Sequence, residues 1–475
     1  MQTQLQHFKK MYYPRLIDRY LIEWAANNSR KPLLLRGARQ VGKSSAVRHL
    51  GSSFESFVEI NLEKQPAYKQ FFQQDIDIKR IVPLIAAMAG KDIVPKKTLL
   101  FIDEIQSCPE AIMALRFFKE DMPALHVIAA GSLLEFALEE LPTFGVGRIH
   151  SMFMYPMTFD EFLSANGETL LLQMRNEATP SHPLPEALYQ KLISLFRTFI
   201  LIGGMPEVVS KWVTTHNYLA CQELQDDLII TYEDDFPKYR KKVDPMLLRQ
   251  VMRSSAMQIG NKFVYSKVGN GYSTSEVKKG LEMLSLAGIL ISVTHSNANG
   301  LPLGSEANPQ YRKILLLDTG LMLRLLNMNL GDITELTTHI LTSNISDLIN
   351  KGAIAEMLAG LELLHYRTPN IRYELFYWVR QAKNSQAEID YLSNYKTVIL
   401  PIEVKAGRQG GMKSLWGFMK EKHLTKAVRC SLENFGSFTY VDNDDHGATR
   451  SVTICPLFAI SQMERLLNAS LSPTS

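Results

Sequence analysis

The stretch Lys31-Pro32-Leu33-Leu34-Leu35-Arg36-Gly37-Ala38-Arg39-Gln40-Val41-Gly42-Lys43-Ser44 decides the fold. Its three consecutive leucines read as a short buried strand, and the residues from Lys43 onward read as a helix. Between them, Gly37 to Ser44 matches G-x-x-x-x-G-K-[ST] in the strand-to-helix context that gives the motif its meaning. Glycines let the main chain wrap around an anion. Gly37, Ala38, Arg39, Gln40, Val41 and Gly42 are therefore expected to cradle phosphates with backbone N–H groups at a helix N-terminus. Lys43 is expected to neutralise β- and γ-phosphate charge, and Ser44 to ligate Mg²⁺. The ligands expected are ATP and Mg.

Working outward, Thr98-Leu-Leu-Phe-Ile-Asp103-Glu104 is an apolar strand ending in two carboxylates. Burial of such a strand sets its acids at the carboxyl edge of a sheet, beside the phosphates. Asp103 would hold Mg²⁺ through water, and Glu104 would orient and polarise the attacking water. Strand signals at residues 32–36, 57–61, 98–102, 125–130 and 149–154 alternate with helical ones, and their unbroken apolar runs suit a buried parallel sheet. An α/β domain ending near Asp160 follows.

A chain of 475 residues is too long for one core and predicts several domains. Hydrophobic residues make up 46% and charged residues 21%, which excludes overall disorder. A net charge of +4 argues against a polycationic packing protein, while permitting a local basic face. Cys108, Cys221, Cys430 and Cys455 are far apart and form no zinc or disulfide pattern, so a reducing compartment is expected. The N-terminal residues lack a signal-peptide core and no apolar run approaches 18 residues. The expectation is a cytoplasmic protein without a membrane partner.

Four further stretches join those motifs. They are Ala129-Ala-Gly-Ser132, the run from Gly147-Arg148 to Leu163, Gly203-Gly-Met-Pro-Glu-Val-Val209 and Leu315-Leu-Leu-Asp-Thr-Gly-Leu-Met322. Together they resemble a family of prokaryotic AAA+ ATPases with an uncharacterised C-terminal domain, over most of the chain. The resemblance implies a P-loop sheet with the additional-strand order and Ser132 as a γ-phosphate sensor. Arg148 is then the first choice for a sensor or finger arginine, with a surface salt bridge as its plain alternative. Arg39 could meet phosphate or a neighbouring subunit.

The rest of the chain divides, on this reading, into a P-loop domain (1–160), a helical domain (161–244), a winged-helix-like region (245–345) and an α/β nuclease-like domain (346–475). Ser273 to Ile291 runs from a Ser cap through a helix to a glycine stop and a strand, which resembles a winged helix-turn-helix with Lys278 and Lys279 near DNA phosphates. A helical packing module is the equal alternative. In the last region, Ala387-Glu-Ile-Asp390-Tyr-Leu392 and Pro401-Ile-Glu403-Val-Lys405-Ala-Gly407 read as a hairpin. Alternation places Glu403 and Lys405 on one face, with Asp390 across from them. Two carboxylates can bind one Mg²⁺, and an adjacent lysine can position or deprotonate a water.

The arrangement resembles the PD-(D/E)XK nuclease fold, with Glu356 in the place of its first acid and Ile389 where the strict pattern has Pro. The plain alternative is a binding module in which Lys405 neutralises the acids. The basic run 413–426 suits a phosphate backbone or a solvated face, and His365 and His423 read as structural. Three readings stay open. One is an ATPase, in a form that allows a homo-oligomer, coupling nucleotide state to DNA or a protein partner; the others are a slow nucleotide switch and an ATP-regulated metal-dependent nuclease.

Overall fold

The computed structural model describes residues 12–132, 134–140, 147–239, 242–326, 352–380, 387–405 and 411–469. Its first sheet holds β1 (Leu33–Arg36), β2 (Ser56–Asn61), β3 (Thr98–Asp103), β4 (His126–Ala130) and β5 (His150–Phe153). Their order is β2-β3-β4-β1-β5 and every pairing is parallel. This is the order expected from the family resemblance, and each strand lies within two residues of its expected ends.

Strand alternation explains how the sheet is covered on both sides. Leu33, Leu35, Leu99, Phe101 and Ile128 face one core with Leu21 and Trp24 of the helix Leu16–Ala26 and Val47 of the helix Lys43–Gly51. Leu34, Leu100, Ile102 and Val127 face another core, filled by the helices Ile78–Ala89 and Pro109–Asp121. All residues of β3 and β4 are buried, and β3 ends in Asp103 at the carboxyl edge.

The helices Phe159–Ala165, Thr169–Glu177, Glu186–Ile202, Pro206–Thr215 and Tyr218–Asp235 come next. The helix Thr274–Leu286 begins at the expected cap: Ser273 and Glu276 form a complete capping box. Beyond it, β6 (Leu290–Ser296) and β7 (Ala307–Leu316) form an antiparallel pair. After the helix Ala353–His365 come β8 (Leu375–Val379), β9 (Glu388–Tyr395), β10 (Val398–Val404), the helix Lys413–Glu421, β11 (Lys426–Ser431), β12 (Gly436–Asp442) and β13 (Ala448–Pro456). The second sheet runs β12-β13-β11-β10-β9-β8-β6-β7.

The β6–β7 pair, expected as the wing of a separate region, is bonded to β8 through Val293–Leu375, Thr294–Phe376 and His295–Tyr377. It extends the C-terminal sheet. The expected boundary at 345/346 falls outside the described residues, as do Ala406 and Gly407 of the expected hairpin motif.

Two motifs with no chemistry of their own find their reason in packing. Asp318 caps the helix Thr319–Leu325 by accepting the Leu321 N–H at 2.9 Å and also accepts the Gly204 N–H at 2.6 Å. A Cβ on Gly203 would stand 2.2 Å from the Asp318 carboxylate, and one on Gly204 would stand 2.1 Å from the Met157 carbonyl oxygen. Only glycine permits so close an approach.

Candidate nucleotide site

The loop after β1 reaches its shape through two glycines at positive φ, Gly37 at 141° and Gly42 at 100°, together with Gln40 at 63°. A Cβ on Gly37 would lie 2.1 Å from the Met154 carbonyl oxygen, so the loop is pressed against the segment leaving β5. Gly42 caps the helix Lys43–Gly51, whose first turn leaves N–H groups free to meet an anion. Arg15 braces the outside of the loop, donating to the Val41 carbonyl at 2.9 Å and the Tyr155 carbonyl at 2.8 Å while paired with Glu161 at 3.0 Å.

Lys43 is buried, and its ammonium donates to the carbonyls of Gly37 at 2.9 Å and Ala38 at 2.7 Å. Burial lowers its pKa to about 8, against the pull of Glu104 and Asp103. A bound polyphosphate would offer this cation the anionic partner that the carbonyls replace incompletely.

At the end of β3, Asp103 lies beside Asn61 of β2 by register, and the Asn61 amide donates to it at 3.3 Å. The Ser44 hydroxyl stands 3.2 Å from each Asp103 carboxylate oxygen. Burial, and then the neighbouring Glu104, raises the Asp103 pKa, a cost that a nearby cation would remove. This donor set fits Mg²⁺: a hydroxyl and a carboxylate side by side, both hard oxygen ligands. Glu104 turns out of the strand at φ 51°. Its carboxylate accepts from the Gln106 amide at 2.6 Å and the Ser132 hydroxyl at 3.2 Å. A Cβ on Gly131 would stand 2.0 Å from the Gln106 side-chain oxygen, which explains the glycine of the Ala129–Ser132 stretch.

The fold thus brings Lys43, Ser44, Asp103, Glu104 and Ser132 to one edge. Arg39 sits in the loop, but its guanidinium is held by Asp235 with two contacts of 2.6 Å, and its carbonyl accepts from the Tyr232 hydroxyl at 2.8 Å. Arg148 is not brought to the site. It precedes β5 and pairs with Glu120 near the end of the helix Pro109–Asp121 at 3.3 Å, on the amino edge of a sheet whose phosphate loop lies on the carboxyl edge. A role at its own chain's nucleotide is corrected to an exposed salt bridge. Asn61, Gln106 and Arg15 went unnoticed in the sequence; the first stands at the end of the strand neighbouring β3, which a sheet-order argument would have found.

A P-loop ATPase is the class that this sheet order and this edge define. Residues 29–163 match the family model described as "AAA domain", residues 193–332 match a domain of unknown function (DUF8612), and residues 351–456 match another (DUF4143). No curated protein matches the sequence. Among solved structures, the chain is similar to the Walker-type ATPase PABY2304 of Pyrococcus abyssi, with 15% identity, a TM-score of 0.42, and coverage of 67% of this chain and 97% of that one. It is also similar to a RuvB variant of Thermotoga maritima, at 13% identity and a TM-score of 0.26 over 63% of this chain and 90% of that one. A STAND protein with a tetratricopeptide repeat sensor from Pyrococcus horikoshii gives 11%, a TM-score of 0.24, and coverage of 73% and 50%. Among the described residues, no helix is long and apolar enough to cross a membrane.

The C-terminal cluster is built on one helix and two strands, in the order helix, β8, β9, β10, helix, β11. Glu356 of the helix Ala353–His365 and Glu388 and Asp390 of β9 offer oxygens that all lie within 4.8 Å of one another. Asp390 accepts the Val404 N–H at 2.7 Å. Glu403 pairs with Lys405 at 2.5 Å, and its other oxygen is buried without a hydrogen-bond partner. Burial raises Glu356 to about 8 and Glu403 to about 7. Two residues of this cluster were missed. Glu388 shares the Asp390 face by strand alternation and was legible; Lys313 of β7 arrives from another part of the chain and was not. Lys278 lies over the Tyr265 ring at 5.6 Å, and Lys422 in the basic run bonds Asn299 at 2.7 Å.

Proposed function

We propose that this protein binds and hydrolyses ATP with Mg²⁺ and transmits its nucleotide state to the C-terminal half, which engages DNA or a protein partner. The convergence of Ser44, Asp103, Glu104 and Ser132 around the loop of Lys43 carries this reading. In it, the loop N–H groups and Lys43 would hold the phosphates, Ser44 and Asp103 would hold Mg²⁺, which would supply charge neutralisation, and Glu104 would accept a proton from the attacking water. Ser132, bonded to the same Glu104 oxygen, reports whether that carboxylate is engaged. The loop also touches the start of the second sheet. A Cβ on Gly288, just before β6, would lie 3.2 Å from the Ala38 amide nitrogen, so a loop that shifts on binding phosphate pushes on the strand pair joined to that sheet.

Steady-state ATP turnover with and without duplex and single-stranded DNA, over a salt series, tests the coupling. Stimulation that fades steeply with salt supports a DNA partner. Turnover indifferent to every nucleic acid form moves the coupling to a protein partner.

A second reading, metal-dependent phosphodiester hydrolysis at the C-terminal cluster, is favoured by one observation: the unpartnered buried oxygen of Glu403 beside Asp390. Burial raises Glu356, Asp390 and Glu403, a cost that a divalent cation among them would relieve. Lys405 would then position the attacking water.

A further inference from the structure

Lys313 is 1% exposed, and its ammonium lies 2.6 Å from Glu356 and pairs also with Glu388. Both carboxylates belong to the group of three whose oxygens converge closely enough for one ion. The ammonium lies 5.2 Å from the centre of the Tyr377 ring, which closes the apolar side of its pocket. No residue of the helix or of β9 supplies this charge. It comes from β7, which pairs with β6, itself bonded to β8.

We propose that Lys313 is a resident cation: its ammonium stands between Glu356 and Glu388 in the place of a divalent ion and keeps the C-terminal cluster free of metal while β7 is docked. The inference rests on the second reading above for what the acids would otherwise hold. A buried ammonium with two carboxylate partners satisfies them without desolvating a metal ion. Lys313 occupies Oε1 of both Glu356 and Glu388, so a divalent ion that draws on those oxygens requires the Lys313 side chain to withdraw.

Mn²⁺ alone, titrated by calorimetry into the nucleotide-free full-length chain on the Lys43→Ala background, tests this. Removal of the ammonium by Lys313→Met should give one Mn²⁺ site at least about tenfold tighter than in the Lys313 chain, because no resident cation must leave first. Adding Asp390→Asn should abolish that site. Equal Mn²⁺ affinity with and without the Lys313→Met substitution in folded proteins overturns the proposal, and so does absence of any site in the folded Lys313→Met chain. Should Lys313→Met fail to fold, Lys313→Gln keeps the hydrogen-bonding capacity and serves in its place. Independently, an Asp390-dependent Mn²⁺ site already as tight as ordinary carboxylate sites in the Lys313 chain overturns it without any change at that position. Mn²⁺ bound by Lys313→Met, with no cleavage of plasmid or RNA, supports the resident cation while ending the nuclease reading.

Discussion

Asp318 and Gly204, 114 residues apart, meet through a 2.6 Å hydrogen bond from the Gly204 N–H to the Asp318 carboxylate. The same two residues lie on a chain of contacts that starts at the phosphate loop. Met154 presses its carbonyl on Gly37, Met157 donates its N–H to the Gly204 carbonyl at 2.6 Å, and Gly204 reaches Asp318 at the start of the helix Thr319–Leu325. Burial raises the Asp318 pKa to about 6, although backbone N–H groups of Leu321, Gly204, Gly320 and Met205 oppose it. Replacing it with Ala strands those buried donors, at about 1–3 kcal/mol for each one left unsatisfied. Asp318→Ala should therefore lower the urea midpoint markedly, whereas Asp318→Asn, which keeps an acceptor, should lose less. Similar midpoints for the two variants would remove the hydrogen bonds as the source of the junction's strength.

The nucleotide site yields a split between binding and turnover. Lys43→Ala removes the loop cation proposed to meet the β- and γ-phosphates, so ATP affinity measured by calorimetry should fall by about tenfold or more. Glu104→Gln keeps the acceptor for Gln106 and Ser132 but takes away the base, so turnover should fall by roughly 10²–10⁴ while affinity holds. Wild-type turnover in Glu104→Gln would move the base elsewhere.

The first sheet was legible because each of its strands is a short apolar run with a helix beside it, and because Gly37–Ser44 and Asp103–Glu104 are local patterns tied to strand ends. Ser132 came from the family resemblance. The joining of β6–β7 to β8 was not legible, since residues 293–295 meet residues 375–377 across more than eighty positions and alternation gives no partner. Lys313 was hidden for that reason: a lone lysine in a strand gives no sign that its charge will be buried against Glu356. Arg148 misled because a motif carries no record of which edge of the sheet it will occupy.

For Arg148 the structure implies little effect in a dilute chain. Its partner Glu120 is exposed and such pairs contribute about 0–1 kcal/mol, so Arg148→Ala should leave both stability and dilute-state turnover near wild type. Turnover measured over a protein concentration series separates the alternatives. A loss confined to high concentration would give Arg148 to a neighbouring subunit's nucleotide, and a loss at every concentration would contradict its place on the amino edge.

Glu362 makes stability depend on pH. It sits on the helix Ala353–His365, accepts the Phe159 N–H at 3.2 Å, and faces Asp160, Arg175 and Tyr366. Burial, with some help from Asp160, raises its pKa from 4.5 to about 8 despite the opposing charge of Arg175. The folded chain therefore keeps a proton that the unfolded chain releases above pH 4.5, and folding takes up protons across the window from 4.5 to about 8. Stability from this group is full below pH 4.5 and declines as pH rises through that window, levelling off above the folded value. Glu362→Gln mimics the protonated form and can still accept from Phe159, so it should match the wild type below pH 4.5 and exceed it increasingly toward about pH 8. Thermal melts of both proteins at half-unit pH steps measure the difference directly. A difference that stays constant with pH would mean that Glu362 is ionised in the fold and compensated by Arg175.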